Sequence, residues 1–316
     1  MNNIRSIGID VSKDTLDVCV LMEDGKFKNL QADNNQIGIP CLVKKINSLQ
    51  EKKEDIPVII EATGGYHYNI TFFLQEKGFA KVFVINPLIT KKFYKSSIRK
   101  TKTDKTDSLL LAKIALTESL NGFTETKEEI INKKKGRLLH FLKKQVQQIN
   151  NKISSSKSLS VIDEFEINIL EEVKKDLEDK IEKVKKEILA SISLDNIKIK
   201  GVSQLNLKII SNELGNIKRF KNHKQVVAFA GLDPSVKESG TSVKGRSRLS
   251  KRGSKTLRCF LFQSAWGVKM HDPEFKKYYN QTRKEGKHYY TCLSAVARKL
   301  LCRIYAERKN SKAVLC

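Results

Sequence analysis

Three stretches of alternating apolar residues open the chain, and helices and strands then alternate; this order restricts the fold more than any other feature of the 316 residues. Residues 4–10 and 14–22 read as adjacent strands, with Ser12-Lys13-Asp14 supplying turn chemistry between two runs of period-two character. A third strand near 26–32 completes a meander. A helix at 35–49, a buried strand at 56–61, a helix at 67–78 and a strand at 81–86 follow. Three strands and then alternating helix and strand is a ribonuclease-H-like order, so the N-terminal region is expected to be an α/β domain.

That order places four acids. Asp10 closes the first strand in Ile-Gly-Ile-Asp-Val-Ser-Lys, and Glu61 closes the fourth in Val-Ile-Ile-Glu-Ala-Thr-Gly-Gly. Asp104 and Asp107 open a helix that continues through Leu109, Leu110, Leu111, Ile114 and Ala115. If the first and fourth strands are neighbours, their carboxylates meet at one sheet edge, and a spacing of three puts both aspartates on one helical face. Converging carboxylates repel one another and resist ionisation, so such a set calls for divalent cations. Carboxylates holding two Mg²⁺ ions are a recurrent device for moving a phosphodiester bond. Each acid also has an ordinary reading: Asp10 as a turn acid, Asp104 as an N-cap with Asp107 in its first turn. Lys102 and Lys105 bracket the pair with base and suit an approaching phosphate.

The formal net charge of +25, with a pI near 9.7, predicts steering toward a polyanion, for which nucleic acid is the natural candidate. No apolar run approaches the roughly 20 residues of a bilayer span, and no basic leader followed by an apolar stretch opens the chain. A membrane role is therefore not expected, and a cytoplasmic, nucleoid-associated protein is. The six cysteines show neither a C-x-x-C pair nor a regular histidine partnership, which argues for reduced thiols and against zinc.

From 124 to 193 the composition changes to Lys, Glu, Ile and Leu without proline. Leu138, Leu142, Val146, Ile149 and Ile153 recur at helical spacing, as do Leu170, Val173, Leu177, Ile181, Val184 and Ile188, so two long amphipathic helices are expected with a break at Ser154-Ser155-Ser156 and Ser158. An intrachain hairpin and a coiled coil between chains both fit the seams; the second is favoured because so long an arm packed only on itself would bury little surface. From 194 onward the chain reads as mainly helical. Gly201, in a turn before a helix at 205–214, resembles a helix-hairpin-helix element that would offer backbone N–H groups to phosphate, and equally a plain helix-loop-helix with a glycine C-cap. Between 239 and 258 there is no acid, while Lys244, Arg246, Arg248, Lys251, Arg252, Lys255 and Arg258 crowd the segment. Such a segment is a solvated basic face or a phosphate-binding loop, and the interleaved Gly240, Gly245 and Gly253 favour the second. Helices at 256–270 and 288–307 carry Phe260, Phe262, Trp266, Leu293, Val296 and Leu300, read as core.

Asp-Val-Ser-Lys at 10–13, Glu-Ala-Thr-Gly at 61–64, Asn-Pro at 86–87, Lys-Thr-Asp-x-x-Asp at 102–107 and Ala-Gly-Leu-x-Pro…Ser-Gly…Ser-Lys-x-Gly…Leu-Arg at 230–258 stand in one order along the chain. Together they resemble the Asp-Glu-Asp-Asp insertion-sequence transposases of the "110" family, relatives of the pilin-gene invertases. The resemblance implies a RuvC-like metal-binding domain over 1–123, a coiled-coil arm over 124–193 and a transposase domain over 194–316. It implies catalytic, metal-holding acids at Asp10, Glu61, Asp104 and Asp107, with Mg²⁺ (or Mn²⁺ in its place), and a nucleophilic serine at Ser239. It also implies target and donor DNA and a bridge RNA as guide, and the seams of the arm add a dimer or tetramer. Ser254 stands where relatives often have asparagine.

A Ser–phosphate ester conserves the phosphodiester bond for rejoining, which hydrolysis would discard. The expected activity is RNA-guided DNA recombination; the rivals are a junction-resolving nuclease in which Ser239 only binds phosphate, and an architectural protein whose acids are structural. Ser235, Ser242 and Ser247 are nearby competitors for the nucleophile, and Ser239 itself could be an ordinary turn residue before glycine.

Overall fold

The computed structural model describes residues 3–49, 53–96, 104–117, 120, 122–159, 161, 163–191, 197–235, 238–239, 243–244 and 248–311. The chain divides into two compact units, 1–124 and 125–316.

In the first unit, the turn chemistry at Ser12 acts as its sequence suggests. The Thr15 N–H donates to Ser12 Oγ at 2.8 Å and the Ser12 N–H donates to Thr15 O at 2.9 Å. This joins β1 (Ile4–Val11) to β2 (Thr15–Met22), which pair antiparallel, and β3 (Phe27–Asp33) adds to β2. After α1 (Gly38–Asn47), β4 (Val58–Glu61) lies parallel to β1; α2 (His67–Glu76) then leads to β5 (Val82–Ile85), parallel to β4. The sheet is mixed, ordered β3-β2-β1-β4-β5. A helix the apolar pattern did not signal, α3 (Pro87–Ser96), begins at a proline suited to the first helical position. The last helix of the unit is α4 (Asp104–Thr117).

Strand alternation divides the sheet's two faces. Ile7, Ile9, Val58 and Ile60 bury one face together with Leu42 of α1 and Ile70 of α2. Ile59 and Ile85 bury the other with Leu111 and Ile114 of α4. Gly8 lies on this second face, and a methyl group built there would overlap Ser108 O and Ala112 N of α4. Two residues earlier, Ser6 donates from Oγ to Ala112 O at 2.8 Å. Cys19, opposite Gly8 in the β1–β2 register, is fully buried, and desolvation pushes its thiol up to about 11, so it acts as a small apolar group.

In the second unit, α5 (Lys127–Lys157) starts at a capping box between Thr126 and Glu129, and α6 (Glu164–Ala190) starts at Asp163, whose carboxylate accepts from two backbone N–H groups. Of the expected break at Ser154-Ser155-Ser156 and Ser158, the first three residues stay helical and Ser158 caps the end of α5. Ser156 is buried inside α5 and donates to Glu166 Oε2 at 3.0 Å, so the turn falls after Lys157. Leu139, Leu142 and Ile153 face inward from α5, and Ile167, Ile181 and Ile188 from α6. The seams are therefore closed by an antiparallel hairpin within one chain, with Leu177 and Val184 packed on the same core. Leu138 and Val173, assigned to the seams by spacing, are instead about half-exposed.

The inner part of this arm shares its core with α7 (Gln204–Leu214), α8 (His223–Ala230), α9 (Lys255–His271), α10 (Pro273–Lys284) and α11 (Tyr289–Ser311). Asp272 caps α10, which has Pro273 at its start, a signal that the apolar pattern alone did not expose. Phe260, Val296 and Leu300 are fully buried as expected, but Trp266 is 52% exposed and is not core. Gly201 adopts φ +85°, and its missing Cβ makes room for Gly267 O on α9. Its close approach is thus to a neighbouring helix. Among the described residues no helix is long and apolar enough to cross a membrane, and Cys19, Cys41, Cys259, Cys292 and Cys302 are free thiols.

Gly8→Ala tests the docking of α4. Backbone atoms, not a flexible side-chain tip, meet the new methyl group, so the substitution should destabilise the first unit by about 1–3 kcal/mol. Thermal unfolding should show the lower midpoint, and a variant as stable as wild type would refute so close an approach.

Candidate active site

The parallel register of β1 and β4 ends with Ile9 paired to Ile60, so Asp10 and Glu61 stand next to each other one residue further on. By alternation both lie on the face that carries Gly8 and Ile59, the face on which α4 packs. Asp107 is buried in the first turn of α4. Burial, reinforced by the charge of Glu61, pushes its carboxyl above the ordinary aspartate range. That electrostatic coupling places the end of β4 and the start of α4 in one locality. Asp104 begins the same helix; its side chain lies outside the described residues, as does that of Lys105, and Lys102 is outside them altogether.

The loops beyond these strands are tied together. Asn34 donates from Nδ2 to Ser12 O at 3.0 Å and to Tyr66 O at 3.2 Å, linking the turn after Asp10 to the one after Glu61. Gly64, at φ +58°, lets the chain leave β4 and enter α2 within a few residues. A further acid that motif reading passed over, Asp17, stands opposite Asp10 in the β1–β2 register and accepts from Gln31 Nε2 at 3.0 Å.

Among the described residues no three acids, histidines or cysteines are grouped as ligands of one ion. The donor chemistry nevertheless suits a hard divalent cation: the buried Asp107 carboxyl is pushed up by desolvation and then by the charge of Glu61, and Asp10 is the neighbour of Glu61 in register.

In the second unit, the acid-free segment expected as a loop forms two nested antiparallel ribbons. The outer pairs β6 (Pro234–Ser235) with β9 (Arg248–Leu249), and the inner pairs β7 (Glu238–Ser239) with β8 (Val243–Lys244). Ser239 pairs with Val243, Lys244 with Glu238 and Arg248 with Ser235; only the backbone of these residues is described at Ser239, Lys244 and Arg248. Gly240, Gly245 and Arg246 lie outside the described residues.

The base of the ribbon explains the motif around it. The Lys251 N–H donates to Gly231 O at 3.2 Å, Ser250 bonds to Asp233 through both backbone and hydroxyl, and Arg298 donates to Leu232 O at 2.9 Å. Arg258 donates from Nη1 to Ala230 O and Gly253 O at 3.0 and 2.8 Å, so this cation braces the ribbon's legs. A side chain at Gly253 would overlap Phe229 O, which gives this glycine a packing role between segments. Lys251 holds a left-handed backbone at φ 53°, an uncommon conformation for a residue with a side chain. Arg252 is exposed beside it. Ser254 caps α9 through the Leu257 N–H and donates to the buried Glu213 at 2.9 Å, while Arg137 of α5 pairs with the same carboxylate at 2.8 Å. One acid thereby connects α5, α7 and the start of α9.

Comparison with known proteins follows this division. Residues 7–155 match the DEDD-type IS110 transposase family model, and residues 197–280 match the model for transposases of the IS116/IS110/IS902 family. The first match covers all four acids and the second covers Ser239. The chain is 27% identical to the pilin gene-inverting proteins of Moraxella lacunata and of Moraxella bovis, over 97% of this chain and 96% of each relative. It is 28% identical to an uncharacterised protein of insertion element IS110 from Streptomyces coelicolor over 34% of this chain and 26% of that protein.

The burial of Asp107 beside the charge of Glu61 has a measurable consequence. A carboxyl whose pKa is raised by folding stabilises the fold below its unfolded pKa, and that contribution is lost as pH rises through the folded value. With chelator present, Asp107→Asn should therefore melt at or above wild type at neutral pH, and the gap should close on acidification. Thermal melts across pH in EDTA check this; a variant clearly less stable than wild type at neutral pH would contradict the stated environment of Asp107.

Proposed function

We propose, for a chain that carries the two transposase domains of the IS110 family and is thereby a DNA-rearranging enzyme, that DNA strands are cut and rejoined through a Ser239–phosphate ester at sites chosen by a guide RNA. The observation that carries this reading is the shared edge: Asp10 and Glu61 in register on adjacent parallel strands, with Asp107 electrostatically coupled to Glu61. The strand order supports a ribonuclease-H-like, RuvC-like domain beneath that edge. Relatives described as inverting a gene act on DNA by rearrangement, in keeping with an activity that conserves the phosphodiester bond.

The chemistry balances without a nucleotide cofactor. Ser239 Oγ attacks the phosphorus, its proton passes to a base, and the P–O bond to the leaving sugar oxygen breaks as that oxygen takes up a proton. The reverse attack by a sugar hydroxyl of the new partner strand restores the serine. A divalent cation held by Asp10, Glu61, Asp104 and Asp107, Mg²⁺ with Mn²⁺ as substitute, would supply Lewis-acid stabilisation of charge on the phosphate oxygens. Acids and serine belong to different units, so the reading includes a composite site in which the serine of one protomer serves the acids of another. Phe165, Ile169 and Val173 recur every fourth residue on α6 and are exposed, outside the seam that α5 fills. That stripe supports assembly through the arm into a dimer or tetramer.

Asp10→Ala and Glu61→Ala should each lower strand cleavage by roughly a hundredfold or more while sparing nucleic-acid binding. Ser239→Ala should abolish the covalent protein–DNA product, which peptide mapping by mass spectrometry on a nicked suicide substrate detects; Ser235→Ala, a neighbouring serine, is the control. Cleavage that persists with no covalent product would move the reading to a metal-dependent nuclease acting by hydrolysis.

The +25 charge sets the salt response. With about six phosphate contacts, log K for nucleic acid should fall against log salt with a slope of about −5. Affinity that stays flat up to physiological salt would show the basic surface to be merely solvated.

A further inference from the structure

A cleft of ≈ 470 Å³ opens in the second unit beside the base of the serine ribbon, lined by His140 of α5, Leu249 and Lys251 of the ribbon's returning leg, Lys255, Arg258, Cys259 and Phe262 of α9, and Tyr290 of α11. Its volume falls in the range of small-ligand sites, about 300–1,000 Å³. Three cations, Lys251, Lys255 and Arg258, share this lining with no carboxylate, and none of them forms an ion pair among the described residues. Converging positive charges without a protein counter-charge are a receptor for an anion, by the same reasoning that makes converging carboxylates a receptor for a cation. Arg258 is anchored by its bonds to Ala230 O and Gly253 O, and the backbone of Lys251 is fixed by its bond to Gly231 O, so part of the cationic wall is pre-organised.

The other half of the lining is aromatic. Tyr290 is 66% exposed at the start of α11, although a large ring in water gains little there by packing. It is stacked on His288 at 5.8 Å and meets Tyr289 edge-on at 5.3 Å, contacts that hold its ring in place. Phe262 lies on the cleft side of α9, and Trp266, 52% exposed, follows one helical turn later. Flat rings next to cations without acids match one ligand chemistry in particular, a nucleobase joined to a phosphate. A duplex keeps its bases stacked and paired, so only an unpaired nucleotide can present its π-face to these rings.

We infer that this cleft binds an unpaired nucleotide of a single strand, with its base against Tyr290 and Phe262 and its phosphate at Lys251, Lys255 and Arg258. The inference rests on the reading that the chain acts on nucleic acid, and adds to it a place where a strand opened from its duplex is gripped beside the ribbon that carries Ser239. Because Leu249 of β9 lines the cleft, a nucleotide bound there is held against that ribbon itself.

The test is binding of the full chain, in magnesium-free buffer, to labelled oligothymidylate, oligouridylate and a mixed-sequence duplex of equal length, followed by fluorescence anisotropy. Tyr290→Ala should weaken single-strand binding about tenfold, since stacking one base contributes roughly 1–3 kcal/mol and 1.4 kcal/mol is tenfold. Duplex binding should change less than about twofold, and Tyr290→Phe should keep single-strand affinity because the ring face is retained. Lys255→Gln should flatten the salt slope by about one. Trp266, the only tryptophan, should be quenched by the single strands. Whichever oligomer binds tighter identifies a DNA or an RNA strand as the occupant. Equal losses on single strand and duplex, or no loss from Tyr290→Ala in a variant with unchanged circular dichroism, would overturn the cleft assignment while leaving the wider reading intact. A wild-type chain that binds neither strand nor duplex would overturn both.

Discussion

The approach of α4 to β1 at Gly8 is the contact on which the acidic edge depends. Any larger residue there would collide with the backbone of α4 at Ser108 and Ala112. Because the helix can lie this low on the sheet, its first turn arrives at the carboxyl ends of β1 and β4, and Asp107 comes within electrostatic reach of Glu61. Ser6, on the same face two residues before Gly8, adds a buried hydrogen bond to Ala112 O. The Ile59, Ile85, Leu111 and Ile114 cluster then excludes water around the contact. The cost of that arrangement is borne by Asp107, which is buried beside a like charge. Such strain against ordinary carboxylate behaviour is characteristic of functional sites.

The second unit uses the same device repeatedly. Gly201 against Gly267, and Gly253 against Phe229, bring segments together at distances only glycine allows. Buried polar contacts then fix orientation. Arg308, fully buried, donates to Ser211 O and Gly215 O at 3.3 and 3.1 Å, which places a cation at the carbonyl end of α7. Glu213 joins Arg137 and Ser254, so the base of the arm, α7 and the start of α9 respond to one another. A buried carboxylate with its partners removed would cost several kcal/mol, so this network constrains how the ribbon's base is presented. The ribbon itself rises from a frame held by Arg258, Arg298 and the Asp233–Ser250 contact.

Much of this was legible along the chain. The first three strands follow the alternation of apolar residues and the last two follow short buried apolar runs, and the positions of Asp10 and Glu61 follow from where the first strand's alternation and the fourth strand's run give way. Helices α3 and α10 escaped because each begins at a proline after a short connection, with an apolar pattern too brief to signal a helix. The break in the arm falls at Ser158, one of the serines that signalled it, while Ser154–Ser156 stay helical despite their turn propensity because a buried hydrogen bond from Ser156 to Glu166 makes helix the better state there.

By itself the sequence determined periodicity, charge and the order of its chemical groups: which residues form strands, where the acids end them, and that the segment holding Ser239 lacks any carboxylate. Tertiary structure decided what each apolar or glycine face meets. Periodicity shows that one side of a helix is apolar but carries no information about the surface that covers it, so the arm's seams could equally serve one chain or two until the hairpin closed them. Trp266, read as core for its apolar character, lies on the face of α9 opposite the buried Leu257, Phe260, Leu261, Ala265 and Val268, so the phase of the helix brings it to the surface. Gly201 and Gly253, which offered backbone to a phosphate as readily as to a helix, are occupied by protein atoms, since a missing Cβ makes room without specifying what fills it.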